Sequence, residues 1–151
     1  MTVTSCMNHY RKKCSYSIFM LYTDECLLPT FSIMIHIIDD DPHILSMLGE
    51  IMEMLGRPAA SFSCSSSYCE YANSSNYNPP NIIITDVKMP KVSGYQLIKN
   101  VSDIHKGIKF IVMTGYQETQ DKLCEQPYVF IRKPFNPANL DTHIQLLMDD
   151  A

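Results

Sequence analysis

Basic charge is scarce in this sequence. The net charge is −4, and the one run of like positive charge is Arg11-Lys12-Lys13. Neutralising nucleic-acid phosphates takes basic side chains clustered on one face, so no direct nucleic-acid partner is expected. Paired cysteines are missing as well. Cys6, Cys14, Cys26, Cys64, Cys69 and Cys124 form no Cys-x-x-Cys and have no His at zinc-ligand spacing, which argues against a zinc site and reads as free thiols in a reducing cytosol. Long apolar runs are absent too. Arg11-Lys12-Lys13 followed by Ile18-Phe19-Met20-Leu21-Tyr22 faintly resembles a signal peptide, but Asp24-Glu25 ends the run and no small-x-small cleavage site follows. The run is also too short to span a bilayer. The expectation is a cytoplasmic protein without membrane insertion. No internal repeat or low-complexity tract is visible, and the serines at 61, 63, 65, 66 and 67 read as a loop-like bias.

What is present suits one globular domain: 151 residues, 46% apolar and 19% charged. Residues 1–32 carry no sustained period and are expected to form a disordered or loosely docked extension; Met34 is a candidate start in its own right, which leaves it open whether residues 1–33 belong to the native protein. From 33 to 149 the pattern is regular. Ile33–Ile38 reads as a buried strand ending in Asp39-Asp40-Asp41, and His36 within it as a core or edge residue. Asp41 is a good N-cap and Pro42 suits the first position of a helix carrying Ile44, Leu48, Ile51, Met52 and Leu55, with Gly56 placed to stop it. A short strand over 59–64 and a short helix over 67–72 follow. Ile82-Ile83-Ile84-Thr85-Asp86 is a β-branched strand closed by a carboxylate, and Pro90 and Gly94 mark the loop to a helix through Tyr95, Leu97, Ile98 and Val101. Strands over 108–113 and 128–131 and helices over 117–125 and 137–148 complete the pattern.

Strands alternating with helices predict an α/β fold with a doubly wound parallel sheet. Five such units are compatible with the flavodoxin-like five-stranded order 2-1-3-4-5, whose switch point lies between the first and third strands. Asp39 and Asp40 would then neighbour Asp86 across that crevice. Carboxylates converging there repel one another, and an all-oxygen donor set favours Mg²⁺ as the compensating cation. Lys133 and Thr114 end the remaining two strands on the same edge, offering an ammonium and a hydroxyl to a phosphoryl group. Asp86 is then the candidate nucleophile. Taken singly, an Asp ending a strand is commonly a cap, a Lys before Pro is commonly solvated and a Thr before Gly is commonly a turn residue. Their joint placement at four strand ends is what argues for chemistry.

In order and spacing, Asp39-Asp40, Asp86 with Met89-Pro90 and Gly94, Thr114-Gly115 and Lys133-Pro134-Phe135 resemble the receiver domain of two-component response regulators, from about Ile33 to about Asp149. The resemblance implies a phosphorelay signalling domain rather than an enzyme in the ordinary sense. Asp86 would take a phosphoryl group from a sensor histidine kinase or a histidine phosphotransfer protein, forming an aspartyl phosphate. Mg²⁺ would be held by Asp40 directly, by Asp39 largely through water, by Asp86 and by the Lys88 backbone carbonyl. Thr114 and Lys133 would contact the phosphoryl oxygens, the Lys133-Pro134 bond would be cis, and Phe130 would be a switch aromatic turning inward as Thr114 moves. The readout face would be built from the helix over 117–125, the strand from Tyr128 and the last helix. Two departures stand out. The segment from Tyr116 to Tyr128 looks a few residues short and lacks the Gly-Ala often found before the last strand, which makes the readout face atypical. No effector module is legible after the last helix, so the signal is expected to leave through an unknown downstream protein or by onward phosphoryl transfer. A homodimer is among the partner expectations.

Two rivals are kept. A haloacid-dehalogenase-type phosphohydrolase would use Asp39 and Asp41 as its Asp-x-Asp, but Pro42-His43 does not suit that motif, there is no room for a cap domain and Asp86 is left unexplained. A receiver-like module that dimerises without phosphorylation is the other.

Overall fold

The computed structural model describes residues 33–115 and 128–149. Five strands, β1 (Ile35–Ile38), β2 (Ala59–Phe62), β3 (Ile82–Asp86), β4 (Lys109–Thr114) and β5 (Tyr128–Arg132), form one sheet in the order β2-β1-β3-β4-β5. Every neighbouring pair is parallel. Four helices are described, α1 (Pro42–Met54), α2 (Ser65–Ala72), α3 (Gly94–Ile104) and α4 (Pro137–Asp149). The helix expected over 117–125 and the extension over 1–32 lie outside the described residues.

The isoleucine run of β3 is continuous because both faces of the sheet are covered. Ile82 and Ile84 point into one core with Ile35, Ile37 and Ile111, closed by Leu48, Ile51 and Met52 of α1 and Leu140, Ile144 and Leu147 of α4. Ile83 points the other way, into a core with Phe110 and Val112, closed by Tyr68 and Ala72 of α2 and Leu97, Ile98 and Val101 of α3. His36 belongs to the second side: it is 4% exposed, and its Nδ1 lies 2.9 Å from the Tyr68 hydroxyl. That hydroxyl is in turn 2.9 Å from the hydroxyl of Tyr77.

The signals at the ends of α1 are the ones read in the sequence. Asp41 accepts the His43 amide at 2.8 Å, Pro42 opens the helix, and Gly56 adopts φ +64° just past its end. Other boundaries shift for local reasons. β1 begins at Ile35 because Met34 is tied to Asn81, whose side chain accepts its amide at 2.9 Å. Ser65 and Ser66 join the first turn of α2, with Cys64 in extended conformation as N-cap. The expected loop serines are therefore partly helical, at the positions where a helix has amides to spare. α3 starts with a capping box that the sequence reading passed over, in which Ser93 and Gln96 exchange hydrogen bonds.

Candidate functional site

The carboxyl ends of the central strands place the candidate residues. Ile38 of β1 pairs with Thr85 of β3, so Asp39 and Asp86, each the next residue, leave the sheet side by side. Asp86 pairs with Met113 and Thr114 pairs with Arg132, which brings Thr114 and Lys133 one step beyond the same edge. The Lys133 amide donates to the Thr114 carbonyl at 2.8 Å, tying those two strand ends together. The Lys133-Pro134 bond is cis.

One ammonium organises the crevice. Lys133 Nζ lies 2.6 Å from Asp86 Oδ1 and 3.1 Å from Asp39 Oδ2. Asp86 Oδ2 accepts the Lys88 amide at 2.7 Å, and Asp39 Oδ1 accepts the Asp41 amide at 2.9 Å. Each carboxylate is thus held at one oxygen by the backbone and at the other by the lysine. Asp39 is only 2% exposed, and this burial holds its carboxyl above the usual aspartate range, although the Asp41 amide and Lys133 pull the other way. Burial also opposes the charge of Lys133, but hydrogen bonds and charge from Asp86 and Asp39 outweigh it and raise its pKa above that of an ordinary lysine.

Asp40 stands apart. It lines a cavity of about 80 Å³ together with Cys64, Ser65, Met89 and Lys91. Among the described residues no three acidic, histidine or cysteine side chains form a ready-made metal cage. Asp39 and Asp86 meet through Lys133, and Asp40 flanks them. This arrangement still suits Mg²⁺, which keeps several waters and takes only one or two carboxylates from a protein. The donor chemistry fits as well: Asp39 and Asp86 share one lysine, which leaves an excess of negative charge at a partly buried site. The Asp41 side chain, as the helix cap, accepts the His43 amide, so Asp41 enters this cluster through its backbone amide on Asp39.

Phe130 sits on edge strand β5, half-buried, opposite Val112 and edge-on to Tyr128 at 5.7 Å between ring centroids. It packs against the core formed with α2 and α3.

The packing role of Gly94 escaped the sequence reading, which used it as a loop marker and as one member of the receiver-like motif. A Cβ there would lie 2.2 Å from the Asp86 carbonyl oxygen and 3.1 Å from the Val87 Cα. The first turn of α3 is therefore pressed directly onto the end of β3, with the Gly94 amide donating to the Val87 carbonyl at 3.0 Å. A glycine a few residues past a strand end was the available signal, but without the topology it reads equally as a turn.

Comparison with known proteins agrees with this geometry. The profile of the response regulator receiver domain matches residues 35–145. The response regulator SaeR of Staphylococcus epidermidis is 28% identical over 107 residues, covering 69% of this chain and 45% of the relative. The transcriptional regulatory protein FixJ of Rhizobium meliloti is 26% identical over 104 residues, covering 67% of this chain and 50% of the relative. The chain thus spans about half the length of these relatives. Among solved structures, a receiver domain protein from Clostridium thermocellum is 25% identical with a TM-score of 0.64, covering 78% of this chain and 94% of that one. A CheY-like receiver domain protein from Methanospirillum hungatei is also 25% identical, with a TM-score of 0.66 and the same coverage of 78% and 94%. No helix among the described residues is long and apolar enough to cross a membrane. With the sheet order, the strand-end carboxylates and lysine, and a profile covering most of its length all in agreement, this chain belongs to the response regulator receiver domain family.

Proposed function

We propose that Asp86 accepts a phosphoryl group from a phosphohistidine on a sensor histidine kinase or phosphotransfer protein. The observation that carries this is the pairing of Asp86 with Lys133 at 2.6 Å while the Lys88 amide holds its other oxygen at 2.7 Å. A carboxylate fixed in this way is oriented for attack and has a cation beside the position where charge will accumulate. In the transfer, an Asp86 oxygen forms a bond to phosphorus, the P–N bond to the donor imidazole breaks, and its electron pair stays on the nitrogen. Lys133, with its pKa raised, remains a full positive charge beside the phosphoryl oxygens. Thr114, 8% exposed at the end of β4, is assigned to bind one of those oxygens through its hydroxyl. Asp39, Asp40, Asp86 and the Lys88 carbonyl would hold Mg²⁺, which when bound supplies further positive charge against the phosphoryl group. A shift of Thr114 followed by Phe130 is the proposed route to a downstream protein.

The test is intact-mass analysis after exposure to acetyl phosphate with Mg²⁺. One phosphoryl increment is expected, lost in Asp86→Asn. An increment that survives Asp86→Asn and disappears in Asp39→Asn would instead favour the phosphohydrolase chemistry. No increment at all, together with a dimer indifferent to Mg²⁺, would leave the phosphorylation-independent module.

A further inference from the structure

The loop from β3 to α3 carries the Lys88 carbonyl and is held at a second point, beyond the Lys88–Asp86 contact. Ser65, at the first position of α2 and 2% exposed, donates its hydroxyl to the Val92 carbonyl at 2.6 Å, with the Pro90 carbonyl 3.4 Å away. This reaches from one helix start across to the loop of a different strand. The loop needs such a partner. Lys91 is held at φ +66°, in the left-handed region that a side chain with a Cβ disfavours, and the Val92 amide folds back onto the Pro90 carbonyl at 2.8 Å.

The two ends of the loop are fixed by other means. Gly94 is bonded to Val87 at 3.0 Å, and the capping box at Ser93 fixes the start of α3. At the near end, the Lys88 amide is bonded to Asp86. Between these anchors Met89 and Val92 pack against the core, and Ser65 adds the hydrogen bond that ties the Pro90–Val92 carbonyls to α2. The contact borders the cavity of about 80 Å³ that Asp40 also lines. Freed from Ser65, the loop has room to move relative to Asp40.

We infer that Ser65 is a positioning residue for the cation: by clamping the Pro90–Val92 carbonyls it fixes the loop that presents the Lys88 carbonyl, and so sets Mg²⁺ affinity. The inference rests on the phosphoacceptor reading, in which that carbonyl and Asp40 hold Mg²⁺. Groups outside the immediate ligands that orient them are commonly worth a tenfold change or more in metal affinity.

The test is calorimetric titration of the full chain with Mg²⁺, alongside urea unfolding without Mg²⁺. Ser65→Ala is expected to raise the Mg²⁺ Kd about tenfold and to move the Lys88 amide resonance in the cation-free protein. Ser65→Cys, similar in volume but a weaker donor, should give a smaller increase in Kd, and it decides the matter if Ser65→Ala does not fold. A lowered urea midpoint with Kd and the Lys88 resonance unchanged would make the contact merely structural and overturn the inference. If the parent chain shows no Mg²⁺ saturation that Asp40→Asn removes, the cation reading fails and the role of Ser65 fails with it. Loss of Mg²⁺ binding in Asp40→Asn with no effect of either Ser65 variant refutes the positioning role alone.

Discussion

Replacing His36 by Phe should flatten the acid side of the stability profile. His36 is buried on β1, and desolvation lowers its pKa from 6.5 to about 4. In the unfolded chain it returns to the ordinary value, so between these limits the unfolded state binds a proton that the folded state refuses. Stability therefore rises with pH across the window. The neutral-imidazole fold is unpenalised above about 6.5, and the penalty is complete below about 4. The slope is about 1.4 kcal/mol per pH unit, which accumulates to about 3 kcal/mol over the window. Phenylalanine fits the surroundings, since the imidazole already packs among Phe62, Tyr68 and Tyr77 at centroid distances of 5.0, 5.7 and 6.3 Å. The Tyr68 hydroxyl keeps Tyr77 as a partner at 2.9 Å, so at pH 7.5 the substitution should cost no more than about 1 kcal/mol, the worth of one neutral hydrogen bond. At pH 4.5, relative to that offset, the variant should be about 2–3 kcal/mol more stable than the parent. Urea unfolding followed by tyrosine fluorescence suits a chain with nine Tyr and no Trp. Taking the difference between the two proteins cancels groups common to both. One of these is Asp39, whose raised pKa acts with the opposite sign, because the folded state then binds its proton more tightly and loses stability as pH rises. A difference that stays constant from pH 7.5 to 4.5 would refute the argument.

Two further outcomes follow from the site itself. Gly94→Ala should lower stability in urea by about 1–3 kcal/mol, an overpacking cost, despite the better helix propensity of alanine, because the added carbon meets the Asp86 and Val87 backbone; an unchanged midpoint would contradict that contact. Lys133→Met should cost about 2 kcal/mol at pH 7, less than a fully buried pair because the lysine is 27% exposed. The loss should shrink on acidification, since without the lysine Asp39 protonates more readily in the folded state and its uncompensated charge disappears; urea midpoints at pH 7 and 4.5 would check both the size and the sign.

The fold was legible because its signals are local and redundant. The isoleucines of β3, the Asp41-Pro42 start of α1 and Gly56 after its end each bias the backbone without help from distant residues. The strand order places Asp39 beside Asp86 through the pairing of β1 with β3, so the central pair of the site was legible as soon as the topology was. What escaped depends on contacts between segments far apart in sequence, where residue type carries little information. Ser65 and Ser66 read as loop residues because serine suits loops, and only the Val92 carbonyl opposite shows why a serine occupies the first turn of α2. Gly94 read as a turn marker because its crowding comes from the end of another element.

The different settings of Asp39 and Asp40 have the same origin, since adjacent residues at a strand end point in different directions. Asp39 continues toward the β3 edge and its lysine, whereas Asp40 turns toward the cavity between α2 and the loop after β3. Two neighbouring acids thus acquire different surroundings, one buried with its pKa raised and one beside an open space. A cation entering at Asp40 would therefore be sensitive to how firmly the Pro90–Val92 loop is held, while the Lys133 pairing would be set by the β4 and β5 ends. On the proposed reading, the loop after β3 and the β4 and β5 ends would therefore reach the site through different contacts, Ser65 acting on the loop and Lys133 on Asp86 and Asp39. Ser65→Ala should therefore leave the stability contribution of the Lys133 pairing intact, whereas Lys133→Met removes it.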